Sequence, residues 1–133
     1  MLRGGGGRHI LIGGDGADQI FGGNLDNILI AGHTLYDQNP IALEAFRKEW
    51  TSTDTFSTRV RKIGGGVIGS DGKTYALVGG KGPNRSVFDD SGAVDVLTGT
   101  PNSDPSVLDW LFSNMGTDLL VNTKPKDAKT PIF

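Results

Sequence analysis

The side chains best suited to chemistry sit at one recurring place, after a turn and just before a short apolar run. Asp15 and Asp18 lie in Gly13-Gly14-Asp15-Gly16-Ala17-Asp18, which leads into Gln19-Ile20-Phe21. Asn27 precedes Ile28-Leu29-Ile30, Asp95 precedes Val96-Leu97-Thr98, Asp109 precedes Trp110-Leu111-Phe112, and Asp118 precedes Leu119-Leu120-Val121. Carboxylates beside glycine turns, whose carbonyls can converge on one point, are hard oxygen donors. The chemistry they suit is ligation of a hard cation that takes six to eight oxygens. The same residue types also build ordinary turns, in which an Asp side chain accepts backbone hydrogen bonds. Both readings apply to Asp15 and Asp18, and to Asp95, Asp109 and Asp118, whose turns lack the paired glycines. Asp89 and Asp90 adjoin the glycine turn Ser91-Gly92, where they could join such a site, though they read first as an exposed acidic turn.

These turns belong to a repeat. In a nine-residue register the N-terminal stretch reads GGGGRHILI (4–12), GGDGADQIF (13–21) and GGNLDNILI (22–30). The middle unit fits the G-G-x-G-x-D-x-U-x pattern of a calcium-binding parallel β-helix at Gly13, Gly14, Gly16, Asp18 and Ile20, U being a large apolar residue. Glycines permit the positive φ of a tight turn, and the tail supplies a short strand with one side chain directed inward. Each unit is then half a coil. Turns on one side of the stack belong to units i and i+2, about 4.8 Å apart, and a cation can bridge them.

At these residues the chain resembles the RTX family, the hemolysin-type calcium-binding repeat proteins of bacteria. The resemblance implies calcium as cofactor, with Asp18 and the glycines around it as ligands. It also implies an extracellular or cell-surface location reached by a pathway without a cleaved N-terminal signal. The flanking units depart from the pattern, with His9 and Asn27 at the aspartate position and Leu25 in place of the second unit's Gly16. A following half-unit, Ala31 to Tyr36, puts Tyr36 where the aspartate belongs. The degenerate repeat, a helix ending in E-W-T-S, and the later V-F-D-D and L-D-W segments together look like C-terminal modules of long RTX-type proteins.

Composition excludes several classes. The chain has 133 residues, enough for one domain, and its 21 glycines coexist with 36% apolar residues, so the glycine belongs to turns rather than to a disordered linker. A net charge of -2 without a basic block offers no footprint for nucleic acid. No apolar run approaches the roughly 20 residues of a membrane span, and there is no cysteine for disulfides or thiol chemistry.

The elements that must position the turns follow from periodicity. Asn39 and Pro40 open an amphipathic helix through Ile41, Ala42, Ala45, Phe46 and Trp50, placed to cover the apolar surface or open edge of the roll. A second helical run opens at Ser52-Thr53-Asp54. Phe56, Val60 and Ile63 share a face, Arg59, Arg61 and Lys62 oppose the helix dipole near its end, and Gly64 to Gly66 stop it. Val67-Ile68 and Thr74 to Val78 form a hairpin around Asp71-Gly72, and Ser86 to Phe88 forms a short strand. Residues 92–99, 107–112 and 116–121 repeat the aspartate-plus-apolar pattern and return the chain to the roll. Residues 122–133 read as an extended tail.

The fold expected is mainly β: a short parallel β-roll of nonapeptide repeats with an inserted helical segment and a hairpin, as one domain divided at 1–36, 37–66, 67–121 and 122–133. His9 and His33 lie in separate turns without the spacing of a transition-metal site. Trp50 and Trp110 read as core anchors rather than a sugar platform. No nucleophile elbow, Cys-His pair or phosphate-loop motif occurs, so no enzymatic activity is expected. The function expected is that of an extracellular calcium-binding structural protein. Because a solenoid end exposes unpaired strand backbone and the first coil starts at residue 4, head-to-tail self-association into a filament is expected. The alternatives are a folding and secretion module of a larger secreted adhesin or enzyme, and a carbohydrate-binding domain. A glycan or cell-surface partner is a further expectation; nucleic-acid binding and membrane insertion are not expected.

Overall fold

Apolar runs of three residues between glycine turns can only make short strands, and the chain stabilises them by stacking. The computed structural model describes residues 1–133. In chain order it contains β1 (Leu2–Arg3), β2 (Ile10–Ile12), β3 (Gln19–Phe21), β4 (Ile28–Ile30), β5 (His33–Thr34), α1 (Pro40–Trp50), α2 (Phe56–Gly65), β6 (Val67–Ile68), β7 (Thr74–Tyr75), β8 (Val87–Phe88), β9 (Val96–Thr98), β10 (Trp110–Ser113), β11 (Leu119–Val121) and β12 (Ala128–Pro131). The chain is mainly sheet, with two helices.

Successive strands of the repeats alternate between two four-stranded parallel sheets, ordered β1-β3-β9-β11 and β12-β10-β4-β2. Leu2 pairs with Ile20, Ile10 with Ile28 and Trp110 with Ala128, each two nine-residue units further along. Side chains alternate across each strand. Ile20 and Leu97 of the first sheet and Leu29 and Leu111 of the second are fully buried in the core. The outer face of the second sheet is covered as well, since Ile28, Ile30 and Phe112 are also fully buried. By contrast Leu119 and Val121 on the first sheet stay exposed.

The cover is the helical layer. Asn39 caps α1 by accepting the Ala42 N–H at 3.1 Å, and Pro40 occupies the first turn, where its missing N–H costs nothing. Its buried face, Ala42, Ala45, Phe46 and Trp50, lies against the sheet, with the Trp50 and Trp110 rings 6.4 Å apart. The Trp50 indole N–H donates to the Asp26 carbonyl at 3.1 Å, which ties the helix to the coil turn before β4. Both tryptophans are therefore core anchors.

The second helix starts later than its sequence suggests. Thr55 is its N-cap, its hydroxyl accepting the Thr58 N–H, whereas the Ser52 hydroxyl donates to Glu49 and accepts the Asp54 N–H in the turn that follows α1. Arg59 also departs from expectation. It is almost fully buried, pairs with the Asp26 carboxylate and lies over the Trp50 ring at 4.6 Å. The hairpin forms as expected, with Val67 opposite Tyr75 and Gly72 at φ 78° in its turn, but its second strand is only two residues long.

Two further expectations are corrected. Ala31 to Tyr36 is not another half-coil. Ala31 N–H bonds the Phe112 carbonyl and the Gly32 carbonyl accepts the Gly14 N–H, after which the chain leaves as β5 and returns as β8, antiparallel, with His33 opposite Phe88. Residues 33–88 are thus an insertion spliced into one coil turn through a narrow root. A Cβ at Gly32 would stand 2.0 Å from the Phe88 carbonyl oxygen, so the root closes only on glycine. The second correction concerns residues 122–133. The extended segment is not a tail beside the sheets but supplies a last strand paired to β10, with Ile132 fully buried.

Candidate cation site

The residues immediately before the strands form two columns, and the same contact repeats in both. On one side of the stack the His9 N–H donates to Asn27 Oδ1 at 3.0 Å, the Asn27 N–H to Asp109 Oδ1 at 2.8 Å, and the Asp109 N–H to Asp127 Oδ1 at 2.9 Å. On the other side the Asp18 N–H donates to Asp95 Oδ1 at 2.6 Å and the Asp95 N–H to Asp118 Oδ1 at 3.1 Å. Each side-chain oxygen thus satisfies the backbone of the neighbouring coil. Asn27 performs this task as well as an aspartate, because only one acceptor oxygen is needed.

The columns differ in what the second oxygen does. Asp109 Oδ2 accepts the Thr100 N–H at 2.6 Å and Asp127 Oδ2 the Lys124 N–H at 2.6 Å, so the first column is saturated. Burial raises the Asp109 pKa to about 6, against the opposing effect of its backbone hydrogen bonds. Asp118 is likewise engaged through Oδ2, which accepts the Asn114 N–H at 2.8 Å. Asn27, Asp109 and Asp118 are therefore fully occupied as hydrogen-bond acceptors between coils.

The Asp18–Asp95 turns are different. The buried side-chain polar atoms of the protein that have no hydrogen-bond partner are Asp18 Oδ2, Asp95 Oδ2, Asp89 Oδ1, Asp90 Oδ1 and His33 Nδ1. All five belong to this turn and to the root of the insertion that stacks on it. Asp95 is fully buried, and burial raises its pKa to about 6, helped by the charges of Asp118, Asp90 and Asp18. Buried oxygens without partners are costly, and Asp18, Asp95, Asp89 and Asp90 each keep one such oxygen.

The glycines supply the backbone this requires. Gly14 and Gly16 take φ of 86° and 97°, and a Cβ at Gly13 would lie 2.7 Å from the Ala31 carbonyl oxygen and 3.0 Å from Asp18 Oδ2. The Gly16 N–H donates to Asp90 Oδ2 at 2.8 Å, and Asn114 Nδ2 to Asp89 Oδ2 at 2.9 Å. Asp15 points outward, its carboxylate 4.0 Å from His33 Nδ1. No group of three or more His, Cys, Asp or Glu side chains is gathered as a metal-ligand set. Calcium, however, draws part of its shell from carbonyls, and the Ala31 carbonyl lies beside this turn. The donor set, all oxygen and largely anionic, fits a hard cation.

Of the residues singled out by sequence, the structure brings Gly13, Gly14, Gly16, Asp18 and Asp95 together. Asp15 stands at the rim, and Asn27 and Asp109 lie in the opposite column. Sequence reasoning misses Asp127, although Asp109, Asp118 and Asp127 fall nine residues apart. It also reads Asp89 and Asp90 as an exposed turn, whereas each buries one carboxylate oxygen. No helix is long and apolar enough to cross a membrane. Comparison with protein-family models, with curated proteins and with solved structures finds no match.

Proposed function

We propose that this chain is a parallel β-roll whose work is structural: an extracellular scaffold module of the hemolysin-type repeat kind, stabilised by calcium at the stacked Asp18 and Asp95 turns. One observation carries the reading. Asp18 and Asp95, on neighbouring coils and joined by a 2.6 Å hydrogen bond, each keep a buried carboxylate oxygen without a partner. The eighteen-residue register and the alternation of strands between two sheets support the roll. The extracellular assignment rests on the family resemblance, and the same geometry would serve a folding module of a longer secreted protein.

The edges of the second sheet bear on self-association. At β12, Lys129 stands in register with Leu111, Pro131 has no N–H to offer, and the Gly80 N–H occupies the Pro131 carbonyl at 2.8 Å. Such features guard a strand edge against pairing. Head-to-tail growth through β12 is disfavoured, while β11, the edge strand of the first sheet at the same end, keeps Leu119 and Val121 exposed. Judged from β12, a single scaffold module is the reading tested first. Sedimentation in calcium tests that preference: one 14.0 kDa species agrees with it and long assemblies overturn it.

The test of the cation is thermal unfolding with calcium and with chelator. The wild-type midpoint rises in calcium, and Asp18→Ala removes most of that rise while changing the midpoint in chelator much less. Equal losses in both media would remove calcium from this turn.

A further inference from the structure

A two-residue antiparallel pair closes the two ends of the insertion, residues 33–88, where it leaves and re-enters the coil, while its helices are tied to the coil farther off, through Trp50 and Arg59 to Asp26. The residues at that root are the ones with unspent acceptors. Asp90 gives one oxygen to the Gly16 N–H of the turn above and Asp89 gives one to Asn114 of the turn below, at 2.8 and 2.9 Å. The other oxygen of each is buried without a partner, as is Nδ1 of His33 on the outgoing strand. Asp90 falls at the first position of the nine-residue frame that has Asp95 at its sixth, where the middle repeat has Gly13, and Asp89 lies just before it.

We propose that the insertion root completes the cation site. Asp89 and Asp90 join Asp18 and Asp95 in binding one calcium ion, and that ion latches the helical layer to the coil. The proposal rests on the calcium reading above and extends it to the aspartates at the insertion root. Without a cation, four carboxylates repel one another at the point where the insertion must close. A divalent ion converts that repulsion into attraction across three stacked turns, those of Asp18, of Asp89 to Asp95, and of Asn114 to Asp118. The stability of the root, and with it the cover over Trp110 and Phe112, becomes dependent on cation.

The experiment combines calorimetric titration with calcium chloride and hydrogen exchange of the full chain in calcium and in chelator, for the wild type, Asp18→Asn and the double variant Asp89→Asn/Asp90→Asn. Asparagine keeps the hydrogen bonds to Gly16 and Asn114. The expected result is a wild-type exchange rate at segments 31–36 and 86–92 at least tenfold slower in calcium. The double variant is expected to bind calcium at least tenfold more weakly, to lose that protection, and to melt no lower than the wild type in chelator. If Asp18→Asn abolishes binding while the double variant binds as the wild type does, the calcium turn stands and the latch is overturned. Wild-type exchange at the root that is the same in both media also overturns the latch, whatever the variants do. Absence of binding by the wild type at millimolar calcium overturns the calcium reading and the latch together.

Discussion

Asp109 accepts the backbone N–H of Asn27 at 2.8 Å across 82 positions of sequence. That one contact places β10 on β4 as though the insertion were not there, and it is one rung of a column that runs from His9 to Asp127. The coils are therefore joined by side chain to backbone bonds as well as by strand pairing, and the column position tolerates Asn or Asp but not an apolar residue.

Asp109→Ala leaves the N–H groups of Asn27 and Thr100 without acceptors in a buried setting. The expected loss is about 2–4 kcal/mol of unfolding free energy, read by urea denaturation. Asp109→Asn keeps one acceptor and loses less. A loss below about 0.5 kcal/mol for the alanine variant would show that the column contributes little.

The same carboxyl gives the protein a pH signature. Its pKa is about 6 in the folded chain against an ordinary value of 3.8, so between those values the folded state holds the proton more tightly than the unfolded state. Stability from this group is greatest below about pH 4, falls as pH rises through 4 to 6, and is level above that. A tenfold difference in proton affinity between the two states corresponds to about 1.4 kcal/mol, so the span is on the order of 2–3 kcal/mol. Subtracting the Asp109→Asn profile from the wild-type profile in chelator isolates it. A flat difference across that pH range contradicts the assignment.

Arg59 and Asp26 form a buried ion pair that joins α2 to the turn before β4, and Asp26 also accepts the Leu108 N–H at 3.1 Å. Removing Arg59 alone strands the carboxylate, and Arg59→Ala is expected to cost about 3–5 kcal/mol. The double variant Arg59→Met/Asp26→Asn is expected to recover part of that loss, since it buries no unpaired charge. Additive losses in the double-mutant cycle would show the two residues to be uncoupled.

Gly32→Ala sets a Cβ against the Phe88 carbonyl, a contact between two backbone segments that no rotamer relieves. The root must open, and limited proteolysis should cut within residues 33–88 at least tenfold faster than in the wild type. Unchanged cleavage would mean that the root is not the closure point of the insertion.

Much of this architecture is legible in the sequence because the repeat is local. Gly13 to Ile20 satisfies the nonapeptide pattern in full, and Asn39-Pro40 announces a helix with its own cap. The hidden parts depend on distant partners. His33–Thr34 and Val87–Phe88 are too short to signal a pairing, so the root is unreadable and Ala31 to Tyr36 passes for a coil. Arg59 reads as a solvated end-of-helix cation because its partner, Asp26, lies in another element. Asp89 and Asp90 read as exposed for the same reason, since the turns that bury one oxygen of each come from residues 13–18 and 114–118.

The most direct measurement is anomalous diffraction from crystals grown in calcium. The account predicts an ion in the Asp18–Asp95 turns, with carboxylate oxygens of both residues about 2.3–2.6 Å from it, and none in the Asn27–Asp109 column. Ordered turns at 13–18 and 89–95 without an anomalous peak would contradict it.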